Sequence, residues 1–180
     1  MIIKTNRLYL REMRPSDYPA LCKILQDTDV MYAYEGVFSD TETQEWMNKQ
    51  INNYETHGFG LWAVTLKTND EMIGQCGLTI QNYIDSQVLE VGYLFQKAFW
   101  HHGYATEAAI ACRDYAFDKI NAEEVFSIIR DNNIASQNVA KRNGMTIKDT
   151  FIKHYRGVDM PHYLFSVKCG SHECQNYRTV

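Results

Sequence analysis

The stretch Leu89-Glu-Val-Gly-Tyr-Leu-Phe-Gln-Lys-Ala-Phe-Trp-His-His-Gly-Tyr-Ala-Thr-Glu-Ala108 reads as a strand, a short turn and the opening of a helix. It holds the residue types in this chain best suited to chemistry. The first amides of a helix have no intrahelical partner and carry partial positive charge, so a helix that opens without side-chain obstruction can hold a phosphate. Gly103 and Ala105 leave such an opening. Neither G-x-x-x-x-G-K-[ST] nor G-x-G-x-x-G occurs anywhere in the chain, which sets aside a P-loop and a dinucleotide fingerprint of that kind. Behind the opening, Ala105, Ala108, Ala109, Cys112 and Ala116 form a narrow surface that can press close to a sheet, and tight packing alone would also account for them. Upstream, alternation puts Glu90 and Gly92 on one side of the strand and Val91, Tyr93 and Phe95 on the other. A glycine inside a strand marks a bulge or the close approach of another group. A carboxylate in an apolar strand needs a partner or a task, such as taking a proton. A glutamate paired with an arginine or facing solvent would give the same pattern.

Further along, Asn133 is a good N-cap for the helix that follows, and Ser136 lies in its first turn. Both would then sit at the carboxyl end of the preceding strand, although a cap and a surface serine need no ligand. The adjacent His101 and His102 point apart on a turn and make a poor chelating pair, and His57, His154, His162 and His172 lack ligand spacing, so no metal is expected. Cys22, Cys76, Cys112, Cys169 and Cys174 are scattered and odd in number, which favours free thiols over disulfides. None sits in a nucleophile signature.

The elements that must position these residues can be traced from hydrophobic spacing. Residues 8–12 read as a strand, Pro15-Ser16-Asp17 opens a helix with Leu21, Ile24 and Leu25 on one face, and residues 31–38 read as irregular and aromatic. Ser39 with Glu42 is a capping-box pattern ahead of Trp46, Met47, Ile51 and Tyr54. Strands are expected over residues 60–66, 72–80 and 87–95, a helix over 103–119, a strand over 125–130 and a helix over 134–142 stopped by Asn143-Gly144. Strands over residues 146–154 and 162–168 complete the set. Short connections favour an antiparallel meander, but the strand, long helix, strand order around residue 103 requires a crossover. The expectation is an α/β (α+β) fold with a mixed, mostly antiparallel sheet, one parallel strand pair and flanking helices. A single domain is expected over residues 1–170, with a polar tail over 171–180.

The chain carries 18 Lys and Arg against 22 Asp and Glu, a formal net charge of −4. That sign argues against a nucleic-acid-coating surface, and a cationic or amine-bearing partner suits it better. Charges interrupt the first residues before an apolar signal core could form, and no stretch approaches the ~18 apolar residues of a membrane span. The expected compartment is the cytoplasm. No exposed heptad or strand edge decides between a monomer and a homodimer.

Phe99-Trp-His-His-Gly-Tyr-Ala-Thr-Glu-Ala108 resembles the coenzyme A pyrophosphate motif Q/R-x-x-G-x-G/A of the GNAT superfamily of N-acetyltransferases, with Trp100 where glutamine or arginine often stands. Asn133-Ile-Ala-Ser-Gln-Asn-Val-Ala-Lys-Arg-Asn-Gly-Met145 is similar to the superfamily's N-x-x-S-x-x-V-x-x-x-x-G-F segment. Residues 5–17 resemble the opening of the ribosomal-protein N-acetyltransferase branch, and Trp62-Ala-Val64 and Ile73-Gly-Gln-Cys-Gly-Leu78 its next two strands. The resemblance implies a GNAT-like acyl-CoA N-acyltransferase fold whose parallel strands splay, and direct acetyl transfer from acetyl-CoA to an amine. It implies cofactor contacts from Tyr93, Leu94 and Phe95, from His101, His102, Gly103, Tyr104, Ala105 and Thr106, and from Asn133 and Asn138. Glu90 would be the base, Gly92 would permit a bulge that frees a strand amide, and Ser136 would serve the leaving thiolate. The acceptor stays open between a protein N-terminus and a small amine such as a polyamine, amino sugar antibiotic or amino acid analogue, with Asp29, Glu35 and the nearby tyrosines able to bind a cation. A coenzyme A binding module without catalysis is the reading from another class.

Overall fold

The computed structural model describes residues 1–34, 36–155 and 157–170. Glu35, Arg156 and the expected tail over 171–180, which holds His172 and Cys174, lie outside the described residues, as does the side chain of Tyr155.

Among the described residues eight strands form one sheet in the order β1-β2-β3-β4-β5-β6-β8-β7. They are β1 (Ile3–Lys4), β2 (Leu8–Arg11), β3 (Leu61–Leu66), β4 (Met72–Tyr83), β5 (Ser86–Phe95), β6 (Glu124–Arg130), β7 (Thr146–Tyr155) and β8 (Val158–Lys168). Among the described residues five α-helices flank the sheet: α1 (Tyr18–Leu25), α2 (Thr28–Met31), α3 (Asp40–His57), α4 (Tyr104–Lys119) and α5 (Ile134–Arg142). Every pairing is antiparallel except β5 with β6, where α4 makes the crossover. The mixed α/β sheet with one parallel pair and flanking helices is thus present as expected. Among the described residues no helix is long and apolar enough to cross a membrane.

Local signals set several boundaries. Ser39 Oγ accepts from the Glu42 amide at 3.2 Å while Glu42 Oε2 accepts from the Ser39 amide at 2.7 Å, which fixes the start of α3. Gly144 adopts φ 78° just after α5, a left-handed conformation that glycine takes without steric cost. Three expectations change. Residues 31–38, read as irregular, begin with the end of α2 and a 3₁₀ turn, Tyr32–Tyr34. A short β1 precedes the expected first strand. The β4–β5 hairpin also runs on to Tyr83 opposite Ser86, leaving only Ile84 and Asp85 in the turn between the strands expected over residues 72–80 and 87–95.

The sheet has an apolar layer on each face. On one, Ala108, Ala109, Cys112 and Ala116 of α4 are fully buried against Trp62, Cys76, Val91 and Phe165, so the small-residue surface does bring helix and sheet close. On the other, α1 and α3 cover β3 and β4 through Leu21, Ile24, Leu25 and Met47. That cover stops short of β6 to β8, where a separate small cluster of Val88, Phe126 and Leu164 lies. The sheet therefore has a partly uncovered floor.

Within β4, Gly77 is opposite Leu61, and a Cβ built there would lie 2.0 Å from the Gly60 carbonyl oxygen and 2.9 Å from Leu61 Cα. Both neighbours are backbone and cannot swing aside. Gly77→Ala is expected to lower folding stability by about 2 kcal/mol, read as a shifted urea midpoint with unchanged slope.

Candidate active site

β5 and β6 are paired at one position only, Glu90 opposite Phe126, whereas β5 stays in register with β4 along its whole length. Past that point side chains bridge the two parallel strands. Ser127 Oγ donates to the Val91 carbonyl at 2.8 Å, and the Ile128 amide donates to Glu90 Oε1 at 3.1 Å. A cavity of about 750 Å³ opens here and takes its lining from both faces of the sheet. Glu90, Gly92, Leu94 and Ile128 line it on the face of α3, and Val91, Tyr93, Ser127 and Ser136 on the face of α5. The slot is made by incomplete pairing of parallel strands. A bulge at Gly92, as the resemblance implied, is absent, since no register shift occurs between β4 and β5. A Cβ at Gly92 would meet only Leu61 Cδ2 at 3.4 Å and Glu90 Oε2 at 3.9 Å. Packing does not demand glycine there; its missing side chain leaves free volume beside the carboxylate.

Glu90 is held on both oxygens: Oε2 accepts from Thr79 Oγ1 at 3.0 Å and Oε1 from the Ile128 amide. Burial pushes its pKa above the ordinary carboxylate value, opposed by these two bonds and by the charge of Lys153. Among the described residues it forms no ion pair, so the arginine-paired reading does not hold. The site thus has a carboxylate poised to take up a proton at the bottom of an open cavity.

Tyr93 donates its hydroxyl to the Ser136 carbonyl at 2.8 Å, and burial pushes its pKa well above the phenolic value, so it is a fixed donor that ties α5 to β5. Asn133 Oδ1 accepts from the Ser136 amide at 3.0 Å, which makes its side chain the N-cap of α5. Asn133 and Ser136 both line the cavity. Phe95 does not: its ring is in the core and its carbonyl accepts from Trp100 Nε1 at 2.9 Å. The tryptophan that replaces a more usual glutamine or arginine therefore fastens the end of β5 to the turn before α4.

The mouth of α4 lies beside this cavity and outside its lining. Gly103 is the N-cap at φ 78° with no side-chain cap, and the first helical bond runs from the Glu107 amide to the Gly103 carbonyl at 3.0 Å. The amides of Tyr104, Ala105 and Thr106 have no partner among the described residues. His101 takes φ 62°, and the His102 ring stacks on Tyr104 with its Nδ1 2.6 Å from the Trp100 carbonyl oxygen. The described residues contain no group of histidines, cysteines or carboxylates that could hold a metal. Asn138 is exposed on α5 and does not reach the cavity.

Sequence reasoning missed what braces that mouth. Arg7 donates through Nη1 to the His102 carbonyl at 2.9 Å, pairs through Nε with Glu107 Oε2 at 2.7 Å and stacks over Tyr104 at 4.4 Å. Thr5 Oγ1 donates to Glu107 Oε1 at 2.6 Å. Although burial works the other way, these bonds hold the Glu107 carboxyl below its ordinary pKa. No local pattern joins residues so far apart in sequence. The cavity's cations were also missed: Lys49 from α3, Arg130 from β6 and Lys153 from β7. The groups expected to bind a cation there were Asp29, Glu35 and the nearby tyrosines. Asp29 is paired with Lys97 away from the cavity, and Glu35 lies outside the described residues.

The acetyltransferase (GNAT) domain family matches residues 7–146. The uncharacterized protein YkkB of Bacillus subtilis is 37% identical over 150 residues, covering 83% of this chain and 87% of YkkB. The structure of a GNAT-family acetyltransferase from Bacillus anthracis superposes with a TM-score of 0.80 at 24% identity, covering 93% of this chain and 98% of that one. RimL, a ribosomal L7/L12 α-N-protein acetyltransferase solved with coenzyme A, superposes with a TM-score of 0.76 at 19% identity, covering 93% and 97%.

Proposed function

We propose, for a chain that belongs to the GNAT acetyltransferase family, that the cavity between β5 and β6 is where acetyl passes from acetyl-CoA to a primary amine. The observation that carries this reading is the cavity itself, which passes through the sheet with Glu90 on its floor. The residues present fit coenzyme A. The uncapped α4 amides, with no Cβ at Gly103, suit a diphosphate. A slot between incompletely paired strands suits a pantetheine arm along Tyr93 and Leu94. His101, His102, Tyr104, Ala105 and Thr106 frame the diphosphate end, and Asn133 caps the helix at the other.

When bound, acetyl-CoA supplies a thioester carbonyl whose C–S bond breaks as the amine's C–N bond forms. An ammonium has no lone pair to attack with, and an α-amine with pKa ~8 is mostly protonated at neutral pH. Glu90 accepts that proton, and its raised pKa brings it closer to a base matched to neutral pH. Ser136, on the opposite side of the slot, would donate a hydrogen bond to the departing thiolate, which takes up the second proton lost as the ammonium becomes an amide. The Arg7 and Glu107 brace holds the His102 to Tyr104 turn in the shape that presents its amides.

The acceptor we favour is the α-amine of a polypeptide N-terminus, the chemistry named for RimL. The cavity's size and its opening beside α3 leave room for an extended chain end. The test is release of free coenzyme A thiol from acetyl-CoA across a panel of N-terminal peptides and small amines. Turnover confined to peptides supports the full reading, turnover confined to small amines replaces the acceptor, and binding of coenzyme A without turnover leaves a non-catalytic module.

A further inference from the structure

The chain as a whole is acidic, at −4, yet among the described residues that line the cavity around Glu90 cations outnumber anions. Its described charged lining holds Lys49, Arg130, Lys153 and Glu90, with His57 and His162 beside them. Lys49 and Lys153 are exposed to the cavity side, and neither makes a hydrogen bond or ion pair among the described residues. They come from elements far apart in sequence, α3 and β7, so their convergence is a product of the fold.

The face they occupy identifies what they could serve. Phe151 packs with Val88, Phe126 and Leu164, and alternation puts Lys153 on that same face, shared with Glu90. The α4 mouth proposed for the diphosphate belongs to the opposite face, and none of its residues lines the cavity. A phosphate of coenzyme A is therefore not what these two lysines meet. The occupant of that side is the acceptor.

We infer that the acceptor carries carboxylate groups close to its reacting amine, and that Lys49 and Lys153 bind them. This rests on the acetyl-transfer reading above. A carboxylate drawn toward the two ammonium groups would leave the amine over Glu90, with each group of the acceptor facing the opposite charge. A polyamine would set cation against cation at both lysines, and the same field would oppose it. Burial raises the Glu90 pKa, and the positive charge of Lys153 opposes that rise, so the same side chain faces both the acceptor's anion and the base.

The experiment compares matched acceptors by initial rate with acetyl-CoA saturating: the peptide amides Ser-Glu-Asp-Ala, Ser-Gln-Asn-Ala and Ser-Lys-Lys-Ala, free glutamate, and spermidine. The acidic peptide or glutamate is expected to exceed its neutral or cationic counterparts in kcat/KM by about tenfold or more, and the better of the two identifies whether the carboxylates belong to a chain or to a free amino acid. Lys49→Gln and Lys153→Gln should each raise KM for the acidic acceptor by more than for the neutral peptide, and added salt should narrow the preference. Equal or better use of the neutral peptide or spermidine overturns the inference and leaves acetyl transfer standing. Absence of thiol release with every amine overturns the acetyl-transfer reading itself, and the inference falls with it.

Discussion

Glu90→Gln is expected to lower kcat by about 10²-fold or more while leaving the affinity for coenzyme A nearly unchanged. Glutamine keeps the shape of the side chain and can still accept from the Ile128 amide, so the cavity survives. What it loses is the ability to take a proton. In the wild type the rate should rise with pH through the elevated Glu90 pKa, because only the ionised carboxylate is a base; the variant should lose that limb. A variant profile that keeps the limb would remove Glu90 from the role. Stability should move the other way. A carboxyl whose folded pKa is raised contributes stability at pH below its unfolded value, and this is lost as pH rises through the folded value. At neutral pH the buried charge of Glu90 thus opposes folding, and Glu90→Gln should melt at the same temperature or higher. A slower enzyme with an unchanged or higher Tm is the signature of a group kept for chemistry at a cost in stability.

The second large effect is expected at the mouth of α4. Gly103→Glu should raise KM for acetyl-CoA by about 10²-fold with little change in kcat, and weaken coenzyme A binding by calorimetry to a similar degree. Space is not the cause, since a Cβ at Gly103 would meet only Arg7 Nη2, at 3.6 Å. Two other effects act there. The left-handed φ of 78° strains any side chain, at roughly 1 kcal/mol or more, and a carboxylate in the first turn competes for the amides that a diphosphate would use. Gly103→Ala separates them, carrying the strain without the charge. It should lose stability comparably and affinity only a few-fold. Equal affinity in the glutamate variant would displace the proposed diphosphate site.

The comparison of these two positions shows where sequence was informative. Glu90 and Gly103 stand out because each breaks a local pattern: a charge in an apolar strand, and a glycine where a helix must begin. The Ser39 capping box, the Gly144 stop and the alanine surface of α4 are visible for the same reason, since each is encoded within a few consecutive residues. Hydrophobic spacing likewise gave the sheet's mixed character once a helix had to connect consecutive strands.

Other features depended on residues that meet only in the folded chain. Strand alternation placed Glu90 and Gly92 on one face, but the slot arises because β5 and β6 pair at a single position, which no pattern within β5 records. Trp100 looked like a departure from a motif, and its function as the clamp on the Phe95 carbonyl required the turn's geometry. Thr5 and Arg7 reach Glu107 only because β2 and α4 are packed together, and Lys49 and Lys153 line one cavity only because the fold brings α3 and β7 to it. Net charge, being a sum over the whole chain, could not reveal which described charges gather at the cavity. Caps, turns and periodicities are short-range and were decided by the sequence itself; the opening in the sheet, the brace on the helix and the charge of the cavity are long-range, and only tertiary packing fixed them.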